Sequence, residues 1–511
     1  MKIVDNKALL LRLRNPAKIT TIIPRSKQVG DTSVLVHWGV DEAQVLNNIG
    51  IKAPSPITGQ YTWPGMYPPF EHQRHTAGFL TLNQRGFCFS EQGTGKTASA
   101  IWASDFLLAQ GRVKRVLIIC PLSIMNSAWR DDLFNVAMHR KVDVAHGSAE
   151  KRRKVIASDA QYVIINYDGV EVVIDAILKG GFDLIIVDEA THYKNVSTAR
   201  WKALNALITP STWVWLMTGT PAAQNPTDAY GLAKLVNPSG VPRFFGAFRD
   251  KVMYKVTNFR WVPKQDAATT VHEALQPAIR YTKEECLDLP DMVYVAREVP
   301  LTAQQNKYYK EVQTMMRTAA AGEDVTAANA AIVMNKLLQI AGGAVYTDSG
   351  EALEFDITHR YKVLKEVIDE ATKKVIVFVP FKHAIDLLSI KLKNDGVSAE
   401  IIRGDVTLTN RTDRFKRFQT EADPKVLIIQ PQSAAHGVTL TAADTIVWWG
   451  PVPSLETYLQ ANARIHRAGQ TNKCTVIQLQ GSGVERHIYA MLDNKIDIHT
   501  KMIDLYSKML D

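Results

Sequence analysis

Nine short apolar runs, arriving in two groups, constrain this chain more than any other feature. The first group is "RVLIICP" (115–121), "QYVIINYD" (161–168), "FDLIIVDEA" (182–190) and "TWVWLMTGTP" (212–221). The second is "KKVIVFVP" (373–380), "AEIIRGD" (399–405), "PKVLIIQPQ" (424–432), "DTIVWWGP" (444–451) and "CTVIQLQ" (474–480). Runs of this length without polar alternation suit strands covered on both faces, the environment of a parallel sheet between helical layers. Helical patterns separate them, so the sequence predicts an α/β fold with two parallel-sheet domains. Residues 240–350 lose that rhythm, and "LTAQQNKYYKEVQTMMRTAAAGEDVTAANAAIVMNKLLQI" is rich in helix formers, which predicts helical insertions and a connector. In the first 60 residues "TSVLVHWG" predicts a strand, and the Pro-rich "APSPITGQYTWPGMYPP" reads as a linker.

Composition sets outer limits on function. The chain has 511 residues, 46% hydrophobic and 22% charged, enough for two or more buried cores. A net charge of +9 favours polyanionic partners without identifying one. Cys88, Cys120, Cys286 and Cys474 are far apart and form no C-x-x-C pair, so neither a zinc site nor a disulfide framework is expected, and a reducing cytoplasm fits. Arg12 and Arg14 break the first apolar run too soon for a signal-peptide core, and no stretch approaches membrane-spanning length.

Three motifs carry chemistry. "SEQGTGKT" (90–97) follows the apolar Phe87-Cys88-Phe89 and opens a helical pattern. A strand, a glycine turn and a helix start aim backbone N–H groups and a helix dipole at one point, where an anion fits. Gly93 and Gly95 allow close approach, Lys96 can reach the β and γ phosphates, and the Thr97 hydroxyl can ligate Mg²⁺. Asp188-Glu189 ends an apolar strand, where burying two carboxylates is costly unless a cation or a reaction uses them. With Mg²⁺·ATP, Asp188 can hold the metal through its water shell while Glu189 deprotonates the attacking water. In "QANARIHRAGQ" (460–470), Arg464 and Arg467 fall three apart on a predicted helix and so share a face, from which a guanidinium can stabilise transition-state charge. Taken singly, each motif has a plain alternative: a chance glycine turn, a solvated acid pair, surface ion-pairing. His72 and His75 have ligand-like spacing, but lying beside Gln73 they are expected to pack or to line an adenine pocket rather than to bind a metal.

The motifs occur in series: "FEHQR", "SEQGTGKT", "LIICPLSIMNSAW", "INYDG", "DEATHYKN", "LMTGTP", "VIVFVPF", "SAAHGVTLTAAD" and "QANARIHRAGQ". Their types, order and spacing over about residues 68–495 resemble the superfamily 2 helicases, and specifically the Snf2-like ATP-dependent DNA translocases. Lys194-Asn195 after the acid pair and the ending "HRAGQ" point to that family rather than to the DEAD-box RNA helicases. The chain departs from the strict G-x-x-x-x-G-K-[ST] pattern at Ser90, and from the family pattern at Thr191, with His192 one place later, and at His436.

The resemblance implies two tandem RecA-like P-loop domains, with ATP and Mg²⁺ as cofactors. Gln73 would read adenine, and Gly93, Thr94, Gly95, Lys96 and Thr97 would hold the phosphates and the metal with Asp188, while Glu189 serves as base. Thr218, Gly219 and Thr220 would couple hydrolysis to movement, and Gln460, Arg464 and Arg467 would act across domains, Arg467 as the finger. DNA contacts would come from Ser123, Asn126, Trp129, Ser433, Gly437 and Thr439. The expected organisation is an N-terminal extension and candidate accessory DNA-binding region (1–66), a RecA-like ATP-binding domain (67–240), helical insertions (241–354), a second RecA-like domain (355–495) and a C-terminal helix (496–511). The basic residues Lys7, Arg12, Arg14, Lys18, Arg25 and Lys27 either add duplex or junction binding or form only a solvated face. The expected partner is DNA, duplex or branched rather than RNA, and the expected state is a monomer in a bacterial or phage-infected cell. A P-loop switch without motor activity is the competing class, and it would need only one such domain.

Overall fold

The computed structural model describes residues 1–494 apart from 220, 223–224, 258–260, 287–288, 321–326, 347–351, 434–437 and 468. Thr220, Gly437 and the helix expected over 496–511 therefore lie outside the described residues. The chain divides into two units, Met1–Cys286 and Leu287–Asp511.

An all-parallel seven-stranded sheet organises the first unit. Its order is Ala278–Ile279, Arg85–Cys88, Trp213–Met217, Leu184–Asp188, Val116–Cys120, Tyr162–Asn166, Val142–Ala145. The continuous apolar runs have a direct cause. Ile185 and Val187 enter one core with Leu117 and Ile119, while Leu184 and Ile186 enter another with Val116 and Ile118, so each strand is buried on both faces. Register then positions the chemistry. Met217 pairs with Cys88 on one side and with Asp188 on the other, so three loops leave the carboxyl edge of adjacent strands.

Ahead of this sheet, Lys2–Val4, Ala8–Arg12, Ser33–His37 and Ser26–Gln28 form an antiparallel sheet in that spatial order. Leu9, Leu11, Val34, Val36 and Trp38 fill its core. Its basic residues Lys7, Arg12, Arg14, Lys18, Arg25 and Lys27 are all exposed. The Pro-rich stretch after it is not a loose linker. Tyr61 packs edge-on against Trp63 and Phe106, Trp63 packs on Trp102, and the Trp102 indole donates to the Pro64 carbonyl at 2.8 Å. Turn residues dominate its composition, but its aromatic rings bury against the helix Lys96–Ala109, and that burial fixes the path.

The second unit carries an all-parallel six-stranded sheet: Met292–Glu298, Cys474–Gln480, Ala443–Trp448, Lys374–Phe378, Val426–Ile429, Ala399–Ile402. The stretch between the two groups of apolar runs does not form a body of its own. Val241, Phe248, Val252 and Ala274 pack into a core of the first unit, whereas Leu337 and Leu338 pack with Ile376 and Trp448 in the second. Ala278–Ile279 escapes sequence reading because two residues carry no period. Met292–Glu298 escapes it because only one side is sheltered at the sheet edge, which leaves a polar alternation.

Candidate active site

The turn after Arg85–Cys88 is built by its glycines. Gly93 (φ 86°) and Gly95 (φ 79°) both lie in the left-handed region, where a Cβ is strained. A Cβ at Gly95 would also sit 2.0 Å from Gln73 Nε2, so the Gln73 amide would have to move. Gln73 and His72 brace the turn from the helix Glu71–Leu82. Gln73 Oε1 accepts the Phe70 N–H at 2.9 Å, Gln73 Nε2 lies 3.5 Å from the Thr94 carbonyl, and His72 Nε2 lies 2.7 Å from the same carbonyl. Both ends of the Gln73 amide are thus engaged with backbone, and the side chain supports the loop. His72 belongs to this brace, and no metal-binding cluster of His, Cys, Asp or Glu occurs among the described residues. Lys96 Nζ donates to the Ser90 carbonyl at 2.7 Å, which closes the loop around a positive charge.

Ser90 stands where the strict pattern has glycine, and its environment explains why. The residue is buried, has no left-handed φ, and its hydroxyl accepts the Tyr281 N–H at 3.1 Å. A serine here ties the loop to the segment that follows Ala278–Ile279.

Asp188 ends the neighbouring strand but one and is only 8% exposed. Its Oδ2 accepts the Trp129 indole N–H at 2.9 Å and its Oδ1 accepts the Glu189 N–H at 3.0 Å. Burial pushes the Asp188 carboxyl above the usual carboxylate range, while the charge of Lys96 and then the Trp129 hydrogen bond pull it back. Glu189 takes φ 48° and ψ 54°, a left-handed conformation that costs a non-glycine residue of the order of 1–3 kcal/mol and marks functional positions. That bend brings Glu189 Oε1 within 3.4 Å of Gln92 Nε2 on the glycine loop. The acid pair, the glycine loop and Lys96 therefore converge.

Thr218 is buried and its N–H donates to the Cys88 carbonyl at 3.1 Å, while Gly219 faces Gln92. The coupling segment thus lies directly against the glycine loop. Lys194 Nζ lies 3.2 Å from Asp228 Oδ2, and Asn195 Oδ1 accepts the Ser197 N–H at 2.9 Å, which gives the "KN" pair a loop-fixing place behind the acid pair. Of the three residues expected to meet DNA in this unit, Asn126 is exposed and Ser123 is half-buried. Trp129 is a correction. It is 0% exposed and its one polar hydrogen is given to Asp188, so its side chain is not offered to a phosphate backbone.

In the second unit the helix Leu455–Asn462 stops before both arginines, which corrects the expectation that they share a helical face. Arg464 is 2% exposed and its Nη1 lies 3.3 Å from the Val438 carbonyl. Gln460 is also buried and donates to Glu456 Oε1 at 3.1 Å. Arg467 is half-buried, donates from Nε to the Ala463 carbonyl at 3.1 Å, and reaches Thr439 Oγ1 from Nη1 at 3.2 Å. Thr439 is exposed and Ser433 is half-buried. Of the set expected to act across domains, Arg467 is the one that meets solvent.

These residues fit a magnesium–nucleotide. The loop holds two left-handed glycines, a lysine closes it, and the buried Asp188 carboxylate on the same sheet edge is held by the Trp129 indole and the Glu189 N–H. Gly95→Ala is expected to weaken nucleotide binding at least about tenfold, since left-handed strain of about 1–2 kcal/mol adds to displacement of Gln73. Titration with a fluorescent ATP analogue, with thermal melting as the control for folding, checks this.

The SNF2-related domain matches residues 35–343, and the helicase conserved C-terminal domain matches residues 359–469. An uncharacterized ATP-dependent helicase of Mycoplasma genitalium is 24% identical over 430 residues, covering 82% of this chain and 40% of its own length. Chromodomain-helicase-DNA-binding protein 1-like of Danio rerio is 26% identical over 450 residues, covering 83% of this chain and 42% of its own. The chain thus spans about two-fifths of the length of these curated relatives. Among solved structures, the SWI2/SNF2 ATPase core of Sulfolobus solfataricus in complex with dsDNA aligns with a TM-score of 0.43 at 21% identity, covering 88% of this chain and 95% of that one. With the SNF2-related domain alone accounting for more than half of its residues, the chain belongs to the Snf2-related family of superfamily 2 helicases.

Proposed function

We propose that this chain is a DNA-stimulated ATPase that couples hydrolysis to translocation on, or remodelling of, duplex or branched DNA. The observation that carries the reading is the convergence of Lys96, Asp188, Glu189 and the Thr218-Gly219 segment on one sheet edge, in a chain that also has a second parallel-sheet unit. A nucleotide switch needs only the first.

In this reading the residues take the following roles. The 90–95 loop and Lys96 bind the phosphates of ATP through backbone N–H groups and one ammonium, with Gln73 holding the loop in shape and, in this reading, facing the adenine. Thr97 and Asp188 are the residues that would hold Mg²⁺, which when bound neutralises phosphate charge. Glu189 takes the proton of the attacking water, its reach set by the left-handed bend. Arg467 supplies positive charge to the transition state, which makes hydrolysis depend on the second unit. Movement needs grips that ignore sequence. Ser123 and Asn126 in one unit, Ser433 and Thr439 in the other, and Gly437 outside the described residues suit contacts to phosphate and sugar. The exposed basic residues of the N-terminal sheet add to the field that draws a polyanion.

We place the protein in replication, recombination or repair, acting as a monomer in a bacterial or phage-infected cell. Steady-state ATP hydrolysis with single-stranded DNA, duplex DNA, a four-way junction and RNA tests the reading. Strong stimulation by duplex or branched DNA is expected. Hydrolysis indifferent to every nucleic acid would favour the switch.

A further inference from the structure

Asp188 has two hydrogen-bond donors, and one comes from a distant part of the chain. Glu189 supplies its own backbone N–H, while Trp129 Nε1 reaches Oδ2 at 2.9 Å from a segment 59 residues earlier. An indole N–H only donates, so it requires an acceptor oxygen and fixes the rotation of the carboxylate. Such outer donors orient metal-holding carboxylates and set their affinity.

The segment that carries the indole is unusual. Met125–Arg130 is wound as a π-helix, a rare form that concentrates at functional positions. An α-helical winding of the same residues would point Trp129 elsewhere and break its bond to Asp188. At one end of this turn Asn126 is exposed, and three residues on Trp129 is completely buried. The surface end is the DNA-facing candidate, and the buried end grips the metal-holding candidate. Few side chains could link the two so directly.

We propose that Trp129 is a positioning residue for Asp188, and that the 123–130 segment transmits engagement of DNA at its surface end to the Mg²⁺ carboxylate. The inference rests on the functional reading above. In it, DNA contact stabilises the winding that already holds the indole on Oδ2, so the carboxylate is held more firmly on DNA. DNA stimulation then has a structural route that lies within the first unit.

Two measurements test it. In protein labelled with ¹⁵N at its ten tryptophans, the Trp129 indole resonance is expected to broaden on adding Mn²⁺·ADP and to shift on adding a duplex oligonucleotide without nucleotide. Trp129→Phe keeps a ring in the core and removes the N–H. It is expected to raise the Mg²⁺ concentration for half-maximal hydrolysis by about tenfold or more, and to reduce DNA stimulation while the affinity for DNA stays as in the wild type. A purely structural tryptophan would lower thermal stability without moving the Mg²⁺ dependence. Unchanged Mg²⁺ dependence and unchanged stimulation in a folded Trp129→Phe protein would overturn the inference. Should that variant not fold, wild-type spectra in which no indole responds to both Mn²⁺·ADP and DNA would overturn it equally. A wild-type protein without DNA-stimulated hydrolysis would instead sink the functional reading and take this inference with it.

Discussion

Glu189→Gln is expected to bind ATP as the wild type does and to hydrolyse it about 10²–10⁴-fold more slowly. The substitution keeps size and one oxygen that can accept from Gln92, 3.4 Å from Glu189 Oε1 in the wild type. It removes the negative charge, and with it the ability to take a proton, and turns one acceptor oxygen into an amide donor. The left-handed backbone at φ 48° is as strained for Gln as for Glu, so the loop has no reason to rearrange. Single-turnover hydrolysis with bound ATP analogue measured in parallel separates the two effects. Loss of binding together with hydrolysis would mean that Glu189 shapes the loop rather than acting on water.

The second large effect is expected in the second unit, at Arg360. Its Nη2 lies 2.8 Å and 3.0 Å from the two oxygens of Glu485, its Nη1 bonds the Trp449 carbonyl, and the two side chains are 4% and 0% exposed. Glu485 also accepts the Gly481 N–H at 2.8 Å and the Ser482 N–H at 2.9 Å, capping the helix Gly483–Asp493. Arg360→Ala strands that carboxylate in the core, and loss of one partner of a buried pair costs about 3–5 kcal/mol. Glu485→Gln added to Arg360→Met should recover part of the loss, because no buried charge is then left alone. Hydrogen exchange of the strand Ala443–Trp448, which adjoins the pair at Trp449, reads the second unit by itself and avoids treating a chain of two units as one transition. Exchange unchanged in Arg360→Ala would show that the pair contributes nothing to this unit.

Much of this architecture was legible in the sequence because its physics is local. A strand buried on both faces must be apolar throughout, so the interior strands of both sheets report themselves, while the edge strand Ala399–Ile402 is only partly buried and admits Glu400; the glycine loop is announced by Gly93 and Gly95. What was not legible depends on distant partners. Nothing in "NSAW" says that Trp129 turns inward to a carboxylate 59 residues away, and its place in a motif drew attention to DNA instead. The spacing of Arg464 and Arg467 suggested a helix, but the chain leaves the helix at Asn462 and the Leu440 N–H bonds the Arg464 carbonyl at 2.9 Å, a contact with the preceding loop that periodicity cannot show. The Pro-rich stretch misled through its composition, which turn residues dominate, whereas the packing of Tyr61 and Trp63 decides its path.

In the proposed function, hydrolysis in the first unit is turned into movement along DNA. Displacement of a short third strand from a triplex on linear duplex DNA measures that directly, because a protein moving along the duplex strips the third strand without needing to separate the other two. Displacement that requires ATP and is absent with Glu189→Gln is expected. DNA-stimulated hydrolysis that leaves the third strand in place would contradict it.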